Sequence, residues 1–331
     1  MALDVKVKIE LSKTVGSVGF GVPLLITSGA EAAGAYTECY TLQDVVTAGF
    51  TDDTPMYKAA NVVFAQKNRP AKIAVYASAA ETLVEAIKEV DSKDFRQIVP
   101  VGVATTEFVA AFDYVETTKK VIFVSLSATE FASIKNSLGA KKYDRAIIFV
   151  NATAYANAAL VGETAGRPAG SFTYKNMVLK NVVAEKLTDA EISELHTAGA
   201  FGYVTKAGDD VTTEGIAQSG KYIDLTDSID YVVQNIEYRV QKTLNTAAKV
   251  PYDDRGIALL ESATLSALQD AAVNGIIAQK EDGTYDYSVS FGARSVTTEA
   301  DRASRVYNYG TFHFSLAGAI HDCTVYGEVT V

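Results

Sequence analysis

What most constrains the fold of this chain is an alternation in its middle, where short aliphatic runs are each followed by a helix start. Lys72–Ala77 (KIAVYA) is one such run, and Ser78-Ala-Ala-Glu81 after it has the spacing of a capping box. In such a box the Ser hydroxyl and Glu carboxylate satisfy free N–H groups at a helix start. The helix it predicts runs to Val90, with Leu83, Ile87 and Val90 at helical spacing. Ile98–Val103 is the next strand and Phe108–Thr117 the next helical segment. Val121–Leu126 (VIFVSL) leads into a second box, Ser127-Ala-Thr-Glu130, whose helix closes at Leu138-Gly139 with glycine in the C′ position. Arg145–Val150 is a further strand. Upstream, Val22–Thr27 reads as a strand, and Thr54-Pro55 as an N-cap with proline at the first helical position. Strands alternating with helices pair in parallel through crossover helices. An α/β layer is therefore expected over roughly residues 20–205.

The ends follow another pattern. Leu3–Leu11 alternates Val5, Val7, Ile9 and Leu11 with Lys6, Lys8 and Glu10, the period-2 signature of a half-buried strand. Ser12–Gly21 then reads as a flexible joint. At the far end, Phe312–Leu316 and Thr324–Val331 are strand-like. Two long helices precede them. One covers about Ser228–Ala247, with Ile229, Val232, Ile236, Val240 and Leu244 on one face. The other covers about Asp254–Val273, with Ile257, Leu260, Leu265, Leu268 and Ala272.

Composition narrows the functions open to such a chain. With 331 residues, 48% of them apolar, it can bury a large core, and a formal net charge of −10 disfavours phosphate neutralisation and hence nucleic-acid binding. The N-terminal stretch has no apolar h-region of a signal peptide. The long uncharged run from Ala146 to Gly162 reads as a buried strand followed by an Ala-rich segment rather than a membrane span. Two cysteines, Cys39 and Cys323, cannot build a disulfide framework or a four-cysteine zinc site. Cys323 is expected to be a small buried hydrophobe in its strand.

No motif reaches a catalytic constellation. Gly215-Ile-Ala-Gln-Ser-Gly-Lys221 has P-loop spacing, but Tyr222 stands where Ser or Thr would ligate Mg²⁺, and Asp224 and Asp227 follow. Gly16-Ser-Val-Gly-Phe-Gly21 is a hinge or turn, not a dinucleotide fingerprint. Asn151-Ala-Thr153 fits a glycosylation sequon without a secretory context. The acidic pairs Asp52-Asp53, Asp209-Asp210 and Asp253-Asp254 suit turns and helix N-termini better than a metal site. His196, His313 and His321 lack metal-ligand spacing, and neither cysteine has a neighbouring base in the sequence. No cofactor is expected, nor any catalytic or metal-binding residue.

The C-terminal third is more specific. Val250-Pro-Tyr-Asp-Asp-Arg-Gly-Ile257 precedes a helix that ends in Ala-Val-Asn-Gly-Ile276. Arg302 and Arg305 follow, then Gly310-Thr-Phe-His-Phe-Ser-Leu-Ala-Gly-Ala-Ile-His-Asp322 and the last strand. This run resembles the contractile tail sheath proteins of myophages and R-type bacteriocins (tailocins), in their short, diffocin-like form. Tyr40-Thr-Leu-Gln-Asp-Val45, Phe50–Tyr57, Phe64-Ala-Gln66, Leu160–Pro168, Leu187–Glu191 and Gly202–Val204 extend the resemblance over nearly the whole chain.

The resemblance implies a mechanical, non-enzymatic role. Sheath subunits stack as hexameric rings around an inner tube and contract from a metastable extended state, driving the tube through a target envelope. It implies an N-terminal arm and joint over 1–20, an outward α/β domain over 21–205, and a tube-proximal α+β domain over 206–331 with a C-terminal strand arm. The implied partners are copies of the chain itself, the inner tail tube protein and the baseplate, without nucleic acid or direct membrane insertion. The implied location is the bacterial host cytoplasm during assembly, then a released phage or bacteriocin particle. Val5, Val7, Ile9, Val325, Val329 and Val331 are the candidate inter-subunit strand residues. Asp230, Glu237, Arg239, Lys242, Arg302 and Arg305 are candidate tube-facing charges. Two extended, half-apolar termini are an aggregation hazard unless paired, and strand addition to a partner's sheet edge would pair them. The alternative reading is an α/β enzyme or small-molecule-binding protein with a ligand cleft at the ends of the central strands.

Overall fold

The structure is a computed structural model that describes residues 21–31 and 34–326. The N-terminal strand expected at Leu3–Leu11, and nearly all of the Ser12–Gly21 joint, lie outside those residues.

The aliphatic runs are the strands of one sheet. They are β1 (Leu24–Thr27), β3 (Ile73–Ala77), β4 (Gln97–Pro100), β5 (Val121–Leu126), β6 (Ala146–Val150) and β7 (Phe201–Lys206), all parallel. Short antiparallel strands close its two edges, β2 (Thr37–Cys39) on β3 and β8 (Asp209–Thr212) on β7. The eight-stranded order is β2-β3-β1-β4-β5-β6-β7-β8. The sheet thus continues past 205 to Thr212.

Continuous aliphatic runs suit a sheet buried on both faces. Leu24 and Ile26, Ile122 and Val124, and Ile148 and Val150 point to one side. There α3 (Leu83–Glu89), α4 (Phe108–Val115) and α5 (Ala128–Leu138) cover them with Ile87, Phe112 and Phe131. Leu25, Val75, Phe123, Ile147 and Phe149 point to the other side, beneath α1 (Leu42–Thr47), α2 (Pro55–Ala65) and α6 (Ala156–Thr164). Every residue of α6, which is the Ala-rich run after β6, is buried. Gly162 lets α6 lie directly on α2: a Cβ there would be 2.8 Å from the backbone of Val63.

Local signals set the helix ends. Ser127 and Glu130 form the capping box of α5, and Gly139 closes that helix at φ +58°. Thr54 caps α2 ahead of Pro55. Thr188 and Glu191 form the box that starts α7 (Asp189–Thr197). The box expected at Ser78–Glu81 is displaced. Thr82 caps α3 by accepting from the Glu85 N–H, while the Ser78 hydroxyl donates to Glu89, 2.5 Å away, and accepts from Ala80 N–H. Thr82 wins because it directly precedes the apolar residues Leu83 and Ile87 that must face the sheet.

Beyond the sheet, α8 (Ile223–Thr246) and α9 (Asp254–Val273) pair around Val232, Ile236, Ala267, Leu268 and Ala271. A two-stranded antiparallel ribbon, β9 (Tyr287–Phe291) and β10 (Gly310–Phe314), packs Tyr287, Val289, Phe312 and Phe314 onto this pair. The short helix α10 (Glu299–Ser304) lies in the loop between the two strands. Among the described residues no helix is long and apolar enough to cross a membrane.

Candidate interaction surfaces

The carboxyl ends of β4, β5 and β6 do form a shallow cleft, of about 300 Å³. Several of its polar side chains are engaged within the fold. Ser125 Oγ donates to Asn157 Oδ1 at 3.1 Å, and the Asn157 amide donates to the Phe123 carbonyl at 3.1 Å. The Asn151 amide donates to the Val183 carbonyl at 2.8 Å, and Glu130 is committed to its capping box.

The P-loop-like segment is a tight turn, not an anion cradle. Its N–H groups already have acceptors: Gln218 donates to the Ala146 carbonyl, Ser219 to Tyr143, Gly220 to Ala217 and Ile223 to Gly215, all within 3.0 Å. Lys221 pairs with Asp144 at 2.6 Å. Among the described residues no cluster of His, Cys, Asp and Glu could hold a metal ion. Asp253 caps α9, Asp254 accepts from Arg294 N–H, and Thr51 donates to Asp53. Cys39 is fully buried, and burial, with Asp44 nearby, pushes its thiol up to about 11. Cys323 is exposed, contrary to the expectation of a buried hydrophobe. No strand forms at Thr324–Tyr326 to enclose it.

The charges of α8 are placed differently from the sequence expectation. Asp230 and Glu237 are buried inside the subunit and cannot present a charge to a tube. Asp230 takes Arg145 bidentately at 2.7 and 2.9 Å and Arg96 Nη1 at 2.6 Å. Glu237 is 3.4 Å from Lys119 Nζ. Asp227 completes the junction, accepting from Arg96 Nε at 3.2 Å and from the Tyr174 hydroxyl at 2.9 Å. Burial alone would raise the Asp230 carboxyl, but Arg96 and Arg145 outweigh it and hold the group below the usual carboxylate range. Burial pushes the Lys119 ammonium down despite Glu237.

This junction ties α8 to the ends of the sheet strands. Sequence reasoning missed Arg96, Arg145 and Lys119 as its basic half. A usable signal existed: Ile223, Asp227, Asp230, Glu237 and Gln241 share one helical stripe beside the apolar one, and all are buried. Helix α8 therefore has two covered faces, one apolar against α9 and one acidic against the sheet.

The other candidate charges diverge. Arg239 is held on α9 by Ser266 at 2.8 Å and by Asp270. Arg302 folds back on Thr297, donating to its carbonyl and hydroxyl. Lys242 and Arg305 are exposed.

The ribbon has the geometry of a strand acceptor. β9 and β10 pair only with each other within the described residues, so each has an outer edge. Tyr287, Val289, Phe312 and Phe314 face α8 and α9, while Ser288, Ser290, Thr311 and His313 are exposed. Val325 is exposed, and Val5, Val7, Ile9, Val329 and Val331 lie outside the described residues.

No known family profile matches the chain, and no curated protein sequence matches it. Solved structures do. A chain of the anti-feeding prophage (AFP) baseplate aligns with a TM-score of 0.70 at 15% identity, over 100% of both chains. The PVC sheath complex of an extracellular contractile injection system, in its contracted state, gives 0.70 at 12% identity over 99% of this chain and 97% of that one. A sheath tail protein from Listeria innocua gives 0.59 at 11% identity over 85% and 90%. The chain has the fold of contractile-system sheath proteins.

Proposed function

We propose that this chain is the structural subunit of a contractile sheath, polymerising as stacked hexameric rings around an inner tube and contracting to drive the tube through a target envelope. The observation that carries this reading is the likeness to sheath structures over the whole chain, including the ribbon and paired helices of the C-terminal third. In the polymer, the outer edges of β9 and β10 accept terminal strands from neighbouring copies. Val5, Val7 and Ile9 extend the apolar face of the ribbon and Lys6 and Lys8 its polar face, while Val325, Val329 and Val331 belong to the second donated strand. Burying each such aliphatic side chain is worth about 1.5–3 kcal/mol. Each backbone hydrogen bond adds roughly 0.5–1.5 kcal/mol net.

The sheet, out to Thr212, forms the outward part. The α8–α9–ribbon unit lies next to the tube, with the exposed charges Lys242 and Arg305 as the remaining tube-facing candidates. The subunit assembles in a bacterial cytoplasm and leaves it within a phage or bacteriocin particle, with a baseplate as the trigger. It acts without catalysis and without a cofactor.

Electron microscopy of the protein co-expressed with its tube protein tests the proposal. Striated sleeves are expected from the intact chain. Val5→Asp, Val7→Asp and Ile9→Asp together should leave a soluble, folded subunit that makes none, since each places a charge on a buried strand face. Normal sleeves from that variant would remove the strand-exchange reading. Dispersed particles from the intact chain under all conditions would remove the sheath reading.

A further inference from the structure

Beyond Ala317, the polar contacts of the described tail to the rest of the chain come from His321 and Asp322. His321 enters a seat built from three parts of the fold. Thr173 and Lys175 come from the loop after α6, Glu214 from the segment after β8, and Tyr222 and Asp224 from the start of α8. The imidazole Nε2 is 2.9 Å from Thr173 Oγ1, and the ring meets the edge of Tyr222 with centroids 4.8 Å apart. Nδ1 is buried without a hydrogen-bond partner, and Glu214 Oε1 lies 2.6 Å from it. Lys175 Nζ bridges Glu214 and Asp322 at 3.2 Å each. Asp224 also faces His321, and burial raises its carboxyl above the usual range. His196 stands near the Lys175–Glu214 pair.

The contrast with the apolar side chains beside it is sharp. Ile320, Val325 and Tyr326 are 91%, 85% and 92% exposed, whereas the His321 side chain is 9% exposed. A tail held by apolar burial would show the reverse. Asp322, itself at the surface, adds little, because exposed ion pairs are weak. His321 is therefore the group that holds.

We propose that this seat is a latch that fixes the root of the C-terminal segment on its own subunit, so that the strand donated to a neighbouring copy begins after Asp322. The proposal rests on the reading of residues 324–331 as an inter-subunit arm. A polar seat suits a releasable latch, because water can replace each of its contacts when the subunits move, which is not so for buried aliphatic side chains. The latch sets the direction in which the strand leaves while allowing release under load.

The chain carries its own probe. Cys323 is exposed and Cys39 is fully buried, so a nitroxide maleimide labels Cys323 selectively in the intact, unassembled subunit. The expected spectrum is motionally restricted. His321→Ala should shorten the label's correlation time several-fold, and Thr173→Ala, made on the body side, should shift it in the same direction. Ile320→Ala should leave it unchanged, and circular dichroism should show all the variants folded. An unrestricted label in the unsubstituted protein, or equal effects of Ile320→Ala and His321→Ala, would overturn the latch. Because the readout needs no polymer, a subunit that shows the latch yet makes no sleeves would count against the arm and sheath readings alone.

Discussion

Arg96 is a fully charged side chain at 1% exposure, and what makes that tolerable is the pair of carboxylates from α8. Removing one partner of such a set strands the others in a low-dielectric interior. Arg96→Met should cost about 3–5 kcal/mol, read as a lower urea midpoint. Arg96→Met combined with Asp227→Asn should recover part of that loss, because Asp230 keeps Arg145 and the Asp227 carboxylate is no longer stranded. Titration separates two acids on the same helix. The Asp230 carboxyl is depressed in the fold, so its stabilisation is present above the unfolded-state value near 3.9 and is lost as pH falls through the lower folded value. Arg145→Met should therefore move the acid-unfolding midpoint upward. Asp224 has the opposite sign. Burial raises it, so its protonated form is the one the fold favours, and that contribution is lost as pH rises through the folded value. Asp224→Asn should raise the melting temperature at pH 7, and the gain should vanish below about pH 4.

At the scale of elements, α9 shows how narrowly a helix start is determined. Asp253 accepts from Gly256 N–H at 2.9 Å, and Gly256 is there because the chain turns back on itself: a Cβ would lie 1.9 Å from the Pro251 carbonyl oxygen. Asp253→Ala should cost about 1 kcal/mol in thermal or urea unfolding. Gly256→Ala should cost more, about 1–3 kcal/mol, because backbone and not a flexible side chain must give way. These residues form part of the Val250–Ile257 run on which the resemblance rests. The start of α9 near Asp254 was legible because an acidic pair at a helix N-terminus is a local signal, whereas the need for Gly256 shows only in the turn itself. The start of α3 was misread from equally local signals, because two acceptors, Ser78 and Thr82, compete and the sheet decides between them.

At the scale of the whole molecule, the proposed motor takes its energy from assembly, in a subunit whose glycine-rich turn has already committed its N–H groups. Contraction of isolated particles, triggered at the baseplate and followed by microscopy, should proceed without ATP and persist in EDTA with the baseplate intact. Dependence on either would contradict the proposal. Deleting residues 1–12 should leave a cooperative unfolding transition of the subunit while abolishing sleeves, because the proposed arm pairs with a neighbouring copy and the described sheet and helix pair have buried clusters of their own.

The sequence alone determined the α/β alternation, the capped starts at Thr54 and Ser127, the two long helices and one strand of the ribbon. Each of these is written in contacts a few residues apart, where propensity, capping and periodicity act. Only the tertiary structure decided which charges are internal. Asp230 and Glu237 read as candidate tube-facing charges until Arg96, Lys119 and Arg145 arrive from the loops at the amino ends of β4, β5 and β6. Likewise His321 reads as an isolated histidine until Thr173, Glu214 and Tyr222 converge on it. A buried ion pair requires a partner that desolvation makes obligatory, and its position along the chain is set by topology, which no local periodicity encodes.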